Sequence, residues 1–516
     1  MTIDMANLPT DVAVLHQLVL GLVETLKNKD VELEKLRQHL ALLKRNHFGR
    51  KSEKCAPGQL DLTLAMMEDA AGKAEEPAPA ADEPEKEKKE GHGRKPLPSH
   101  LPRRRIEHQV DREKLVCNGC GGRLDKIGED ISEQLEYVPA SFYVKQHVRM
   151  KYACRCCQEN VVISEYPAQP VEKGIPGPGL IAHVISSKYC DHLPLARQEM
   201  MFRRNGLSIR RSTLADWVKY GSDLLEPLHK TMKDEVLKSK KIHTDDIPVP
   251  VQDPLRQGTK TGRLWVYSGD EKHPYDVYDY TADRSSRRPK EVLSGYSGYL
   301  QADAYKGYDD IYEKCDVTEV ACWAHARRKF FDAQETGGAY ALMALAYIRK
   351  LYDVEDEAKG KPPEEIKRLR QEKSKQLLDA FEKWLKEAGM HVLPKSPMGQ
   401  AIAYALSNWE ALNTYITDGD LDIDNNAAER ALRCIAVGRK NWLFAGSDAG
   451  GRRAAVLYTM VSSCKRHGID PWAYLADVLD RVSIHPARLI GELLPDKWKM
   501  LKDNLPSSPV APSVSS

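Results

Sequence analysis

The chain has 516 residues, 29% of them charged, yet its net charge is only +2. That length predicts roughly three or four domains. The balanced charge excludes a global polycation, so any affinity for nucleic acid must come from local basic clusters. No apolar run reaches the ~20 residues that cross a bilayer, and the acidic start MTIDMANLPTD lacks a secretory pattern. No membrane partner is expected. Cytoplasmic residence is the default, and the eleven cysteines read as reduced ligands or core residues.

In chain order, residues 11–47 carry a leucine heptad. Leu15, Leu22, Leu36 and Leu43 form one series, broken only by Lys29, and Val19, Leu26, Leu33 and Leu40 form the second. That 4–3 spacing drives helix pairing through a narrow seam and predicts a homodimeric coiled coil; it also suits a single amphipathic helix packed on its own protein. Residues 56–96, rich in Pro, Ala and Glu, cannot bury enough surface to fold and read as a linker. The tail 504–516 reads as disordered for the same reason.

Residues 97–165 form a small cysteine-bearing β module. Cys117 and Cys120 make a C-x-x-C knuckle, and Cys154 with Cys157 restores the same spacing, leaving Cys156 spare. Four thiolates give the tetrahedral shell of a structural Zn²⁺. The runs LEYVPA and FYVKQHVRMKYA between them predict the strands of a zinc ribbon. Lys145, His147, Arg149 and Lys151 alternate with Val144, Val148, Met150 and Tyr152. A row of cations suits phosphate contact, and Lys145 and Arg149 are DNA-binding candidates; a solvated strand face has the same pattern.

From 175 to 235 the chain predicts helix, turn, helix, with Asn205-Gly206 at the turn and Ser208 or Ser212 as a cap. Arg203, Arg204, Arg210 and Arg211 cluster where a helix-turn-helix meets the major groove. A plain helical hairpin with a basic corner is the other reading.

Strands are then expected at 240–251, 262–268 and 274–281, a helix near 288–295, and strands at 298–303 and 317–322. The rest is largely helical. This is a multidomain α/β chain with a mixed sheet. Asp245 lies on the first of these strands, Asp303 ends the fourth, and Glu429 sits on a later helix. Singly, each has an ordinary explanation: Asp245 and Asp246 as turn caps, Asp303 as a helix start, and Glu429 with Asn426 as a capping box. Jointly, three carboxylates from distant segments can hold two divalent ions that cut and rejoin phosphodiesters. Arg433 and Lys440, on or just past the glutamate's helix, are placed to neutralise phosphates, with an i,i+4 pair to Glu429 as Arg433's alternative. His325, after the fifth strand, either faces the site or packs.

The segments FGRKSEK, CNGCGG, KYCDHLPLARQE, RRSTLADW, HTDDIPVPV, LQADAYKGY, CWAHARRKFF, IDNNAAERALR and GRKNWLFAGSDAGG resemble the transposases of the bacterial insertion-sequence sixty-six family, within the DDE superfamily. The likeness covers nearly the whole chain. It implies a ribonuclease-H-like core (236–331 and 422–450) with a helical insertion (332–421), a C-terminal helical region (451–503), and Asp245, Asp303 and Glu429 as the triad. Where the family has Asp-Glu-Thr, this chain has Asp245-Asp246-Ile247, which leaves Asp246 as an alternative ligand. The implied chemistry is Mg²⁺-dependent 3′-end cleavage and strand transfer, acting on terminal inverted repeats and target DNA. Small element-encoded companion proteins are implied as well. A DNA-binding regulator with an inert nuclease core, or a structure-specific nuclease, are the rival readings.

Overall fold

The computed structural model describes residues 174–503 except 254–257 and 315, residues 142–148, the backbone of 151–153 and 161–163, and the isolated Val23, Lys29 and Val171. The heptad, the linker, the tail, Arg149 and the cysteines Cys117, Cys120, Cys154 and Cys157 lie outside the described residues.

Contacts divide the chain into two units, the smaller spanning Ala74–Glu165. Within it, β1 (Lys151–Ala153) pairs antiparallel with β2 (Val161–Ile163), Tyr152 opposite Val162. The expected long strand is corrected here. Residues 142–148 carry no strand, and Val144 and Val148 are as exposed as Lys145. Over residues 142–148 the alternation of cations with apolar residues therefore has no buried side to match.

The larger unit begins with helices α1 (Pro178–Tyr189), α2 (Leu195–Arg204) and α3 (Arg211–Val236). The turn between α2 and α3 uses Gly206 at φ +79°, a backbone state that glycine adopts without steric cost. Asn205 Nδ2 donates to the Met201 carbonyl and closes α2. Neither serine caps α3: the residue before it is Arg210, with no side-chain cap.

A five-stranded sheet follows: β3 (Lys241–Gln252), β4 (Thr259–Ser268), β5 (Asp276–Thr281), β6 (Gly298–Ala302) and β7 (Val317–Ala321), with α4 (Arg287–Val292) between β5 and β6 and α5 (Asp309–Lys314) between β6 and β7. Its order is β5-β4-β3-β6-β7, with β6 and β7 parallel to β3 and the other pairs antiparallel. β4 pairs with β3 along its whole length, whereas β6 covers only Lys241, Ile242 and His243. Beyond His243 one side of β3 is thus an open edge. Pro248 and Pro250, which have no N–H to donate, are tolerated there.

The edge is covered by α12 (Asn426–Trp442) and the residues after it. Arg439 donates to the Pro248 carbonyl at 2.7 Å, and Ala445 to the Pro250 carbonyl at 2.9 Å. Between β7 and α12 the chain runs through α6 (Trp323–Asp332), α7 (Gln334–Ala358), α8 (Pro363–Leu369), α9 (Lys375–His391), α10 (Pro397–Ser407) and α11 (Trp409–Asn413). These close around Trp323, Phe330 and Phe381, all fully buried. After α12 come α13 (Asp448–Arg466), packed on β5, then α14 (Pro471–Arg481) and α15 (Pro495–Asp503). One hydrophobic core joins α1 and α3 with β3–β6, α12, α13 and α14. Among the described residues, no helix is long and apolar enough to cross a membrane.

Candidate active site

Asp245 sits on β3 just past the end of the β6 pairing, where the open edge begins. Asp303 is the residue after β6, and Glu429 lies in the first turn of α12. The topology therefore brings all three toward one edge of the sheet.

A buried polar latch fixes the start of α12 against the sheet. Asn425, fully buried, donates Nδ2 to the Thr244 carbonyl at 2.8 Å. Its Oδ1 meets His243 Nδ1 at 3.0 Å, and its backbone N–H points to Cys322 Sγ at 3.1 Å. Gln301, also fully buried, donates to the Asp424 carbonyl at 2.9 Å. On the same loop, Asp422 receives Lys241 Nζ at 2.6 Å and His243 Nε2 at 2.9 Å. Burial works to raise the Asp422 carboxyl, but His243 and the charge of Lys241 outweigh it and hold it well below the usual carboxylate range. β3, β6 and the end of β7 thereby all grip the segment leading to Glu429. The alternative reading of Asn426 and Glu429 as a capping box does not hold: Asn426 is the first helical residue, and Asp424 receives both its N–H and its side-chain amide.

The two neighbouring aspartates differ in surroundings. Asp246 has a side chain only 2% exposed, clamped by Arg263 at 2.7 Å and Arg284 at 2.9 Å. Asp245 accepts the Asp246 N–H at 2.7 Å. Burial first, then the charge of Asp303, with smaller contributions from Asp246 and Glu429, pushes its carboxyl up to about 7. A carboxyl so crowded by its own kind reports acidic groups gathered in one place. Arg284 also reaches Asp303 at 3.8 Å. Glu429 meets His325 at 3.6 Å and Arg328 at 3.9 Å, rather than Arg433. Among the described residues, no three His, Cys, Asp or Glu side chains lie close enough to hold a metal as they stand.

Two cavities flank the carboxylates. One, of about 440 Å³, is lined by Asp245, Glu429, Arg430 and Arg433. The other, of about 460 Å³, holds Asp303, Arg284, His325 and Lys329. His325 therefore faces the site. Arg433 is exposed on the first cavity, Lys440 is exposed further along α12, and Arg203, Arg204, Arg210 and Arg211 are all exposed at the α2–α3 corner. Sequence reasoning missed Arg284, His243, Asn425 and Gln301. Asn425, His243 and Gln301 carried a signal only as parts of the quoted segments IDNNAAERALR, HTDDIPVPV and LQADAYKGY; nothing in ADRSSRRPK singles out Arg284.

A family model described as Transposase IS66 family matches residues 173–453, more than half of the chain. The chain belongs to that family. Models for its zinc-finger binding domain, its C-terminal element and a "Transposase C of IS166 homeodomain" match residues 114–158, 459–495 and 35–106. Among similar proteins of Sinorhizobium fredii (strain NBRC 101917 / NGR234), uncharacterized protein y4hP is 36% identical over 91% of this chain and 88% of its own. Uncharacterized protein y4jD is 32% identical over 96% of this chain and 97% of its own. This transposase thus carries a DNA-processing region and DNA-binding parts, and the zinc-finger match spans Cys117, Cys120, Cys154 and Cys157.

Proposed function

We propose that this transposase cuts DNA at the ends of its element and joins the freed 3′ ends to target DNA, with Asp245, Asp303 and Glu429 as the catalytic carboxylates of a ribonuclease-H-like core. The observation that carries this reading is the place of Asp245: at the edge where β6 leaves β3, lining one cavity with Glu429 and raised by the charge of Asp303. An antiparallel three-strand meander extended by two parallel strands supports the fold assignment. The clamped Asp246 supports Asp245 as the ligand.

The donor set fits a divalent ion. It is all carboxylate oxygen, which suits Mg²⁺, and a cation would relieve the like charges around Asp245. When bound, Mg²⁺ supplies Lewis acidity that makes a water or 3′-hydroxyl nucleophilic and steadies charge on the phosphate under attack. The chain's part is to hold and orient. The latch fixes Glu429 beside β3, Arg263 and Arg284 neutralise the Asp246 carboxylate on the cavity wall, and His325 faces a Glu429 oxygen. Arg430 and Arg433 line the cavity as phosphate partners.

The α2–α3 arginines and Lys440, together with Lys145 and Arg149 of the smaller unit, serve as DNA contacts. The four cysteines hold structural Zn²⁺, and the heptad pairs two copies. The test is Glu429→Gln: Mg²⁺-dependent nicking of duplexes bearing the element's ends should vanish while the melting temperature stays unchanged. Cleavage that survives the substitution removes Glu429 from the site. The rival reading is an inert core that only binds DNA. Binding of the end duplexes without nicking, in Mg²⁺ or Mn²⁺, would establish it.

A further inference from the structure

The cavity beside Asp303 lies outside the pair formed by Asp245 and Glu429, and its lining has a chemistry of its own. Arg284, Lys306 and Lys329 face one carboxylate, Asp303, so cations outnumber anions around it. Two aromatic rings share the wall, each with a cation against its face. The Arg284 guanidinium lies 4.2 Å from the Tyr305 ring centre, and Lys329 Nζ lies 4.5 Å from that of Tyr404.

The rings come from separate parts of the chain and are held in place. Tyr305 packs edge-on against Tyr308 at 5.6 Å and near Trp265 at 6.1 Å. Tyr404, on α10, donates its hydroxyl to the Asp303 carbonyl at 3.2 Å, so the helices after β7 help build the pocket. Between Asp303 and Tyr305, Ala304 has φ +58°, a left-handed state that costs a non-glycine residue free energy and persists where the surroundings impose it. That turn places the Tyr305 ring and the Asp303 carboxylate on the same cavity.

Aromatic faces flanked by cations are how proteins hold an unpaired nucleotide: the base stacks on a ring and the phosphate meets the cation. The geometry points to this cavity as a binding site for one unstacked nucleotide of the DNA strand. Its base packs against Tyr305 or Tyr404, and its phosphate meets Lys329 and Lys306. The inference rests on the proposed strand-cutting reading, because it assigns the neighbouring nucleotide to the same site. A duplex opened next to the cut would leave one base without its partner, and this pocket receives it.

The test uses the full chain without divalent metal, so that it reads binding and not cleavage. The probes are a blunt 25-base-pair duplex and the same duplex with a five-nucleotide 3′ overhang carrying 2-aminopurine. We expect the overhang duplex to bind about tenfold tighter, the scale that one stacked base contributes, with the 2-aminopurine emission quenched. Tyr305→Leu and Lys329→Ala should each remove most of that preference, and Tyr305→Phe, which keeps the ring, should retain it. Equal affinity for the two probes, or a preference that survives both Tyr305→Leu and Lys329→Ala, overturns the inference. A separate Mg²⁺ nicking assay on the wild type distinguishes the two failures. Nicking without overhang preference removes the nucleotide pocket alone; overhang preference without nicking removes the strand-cutting reading and leaves the pocket.

Discussion

Asn425 donates its side-chain amide to the Thr244 carbonyl at 2.8 Å, across 181 positions of sequence. One partner immediately precedes Asp245, and the other stands four residues before Glu429. This single hydrogen bond therefore ties the two carboxylates' backbones together. Asn425→Ala would leave the Thr244 carbonyl and His243 Nδ1 without their partner in a buried place. The expected cost is about 2 to 3 kcal/mol of stability, read by chemical denaturation, with end cleavage falling by more than about tenfold at a temperature where the variant is still folded. A variant as active and as stable as the wild type would deny the latch its positioning role.

Asp245 gives a pH prediction. Its folded carboxyl lies at about 7, against about 4 for an unfolded aspartate. The folded chain keeps that proton longer, so stability declines as pH rises through this interval, and the penalty is complete above about 7. In EDTA, Asp245→Asn should raise the melting temperature at pH 8 by about 2 to 4 °C and leave it unchanged near pH 4. Mg²⁺ at pH 8 should stabilise the wild type and not the variant. Equal gains at both pH values would mean that charge crowding is not the cause.

Arg284 spans two carboxylates. It pairs with the buried Asp246 and reaches Asp303 while lying on the Tyr305 ring. A lysine has neither the planar fork nor the stacking face. Arg284→Lys should lower cleavage by about tenfold or more, as loss of one charged hydrogen-bonding partner does, with a smaller change in melting temperature because Arg263 still holds Asp246. Full activity in the lysine variant would show that charge alone suffices there.

The zinc-finger match predicts a stoichiometric metal. Purified protein should contain one Zn²⁺ per chain by elemental analysis, and Cys117→Ser or Cys157→Ser should release it, since each removes one of four thiolates. Cys156→Ser should keep it. Zinc retained in Cys157→Ser and lost in Cys156→Ser would reassign the fourth ligand.

The sheet was legible in the sequence because its strands alternate and end in turn residues. The observed spans Lys241–Gln252, Gly298–Ala302 and Val317–Ala321 lie within two residues of those expected. What stayed hidden depends on contacts far apart in sequence. Asp245 and Asp246 look alike as letters; only Arg263 and Arg284, arriving from β4 and from the loop after β5, tell them apart. The serine cap near 208–212 failed because local preference does not decide where a helix begins when its first turn is set by packing. The run at 142–148 failed for another reason: period-two alternation marks a strand only where one side has something to pack on.

No separate linker divides the helices bearing Arg203, Arg204, Arg210 and Arg211 from the strands bearing the acidic residues; the two share a continuous apolar interior through α3. A hinge between them would have to open that interior. On the proposed reading, recognition and reaction are built on one rigid gauge, and the number of base pairs from the arginine corner to the bond that breaks is set by the protein's dimensions, not by the DNA's sequence.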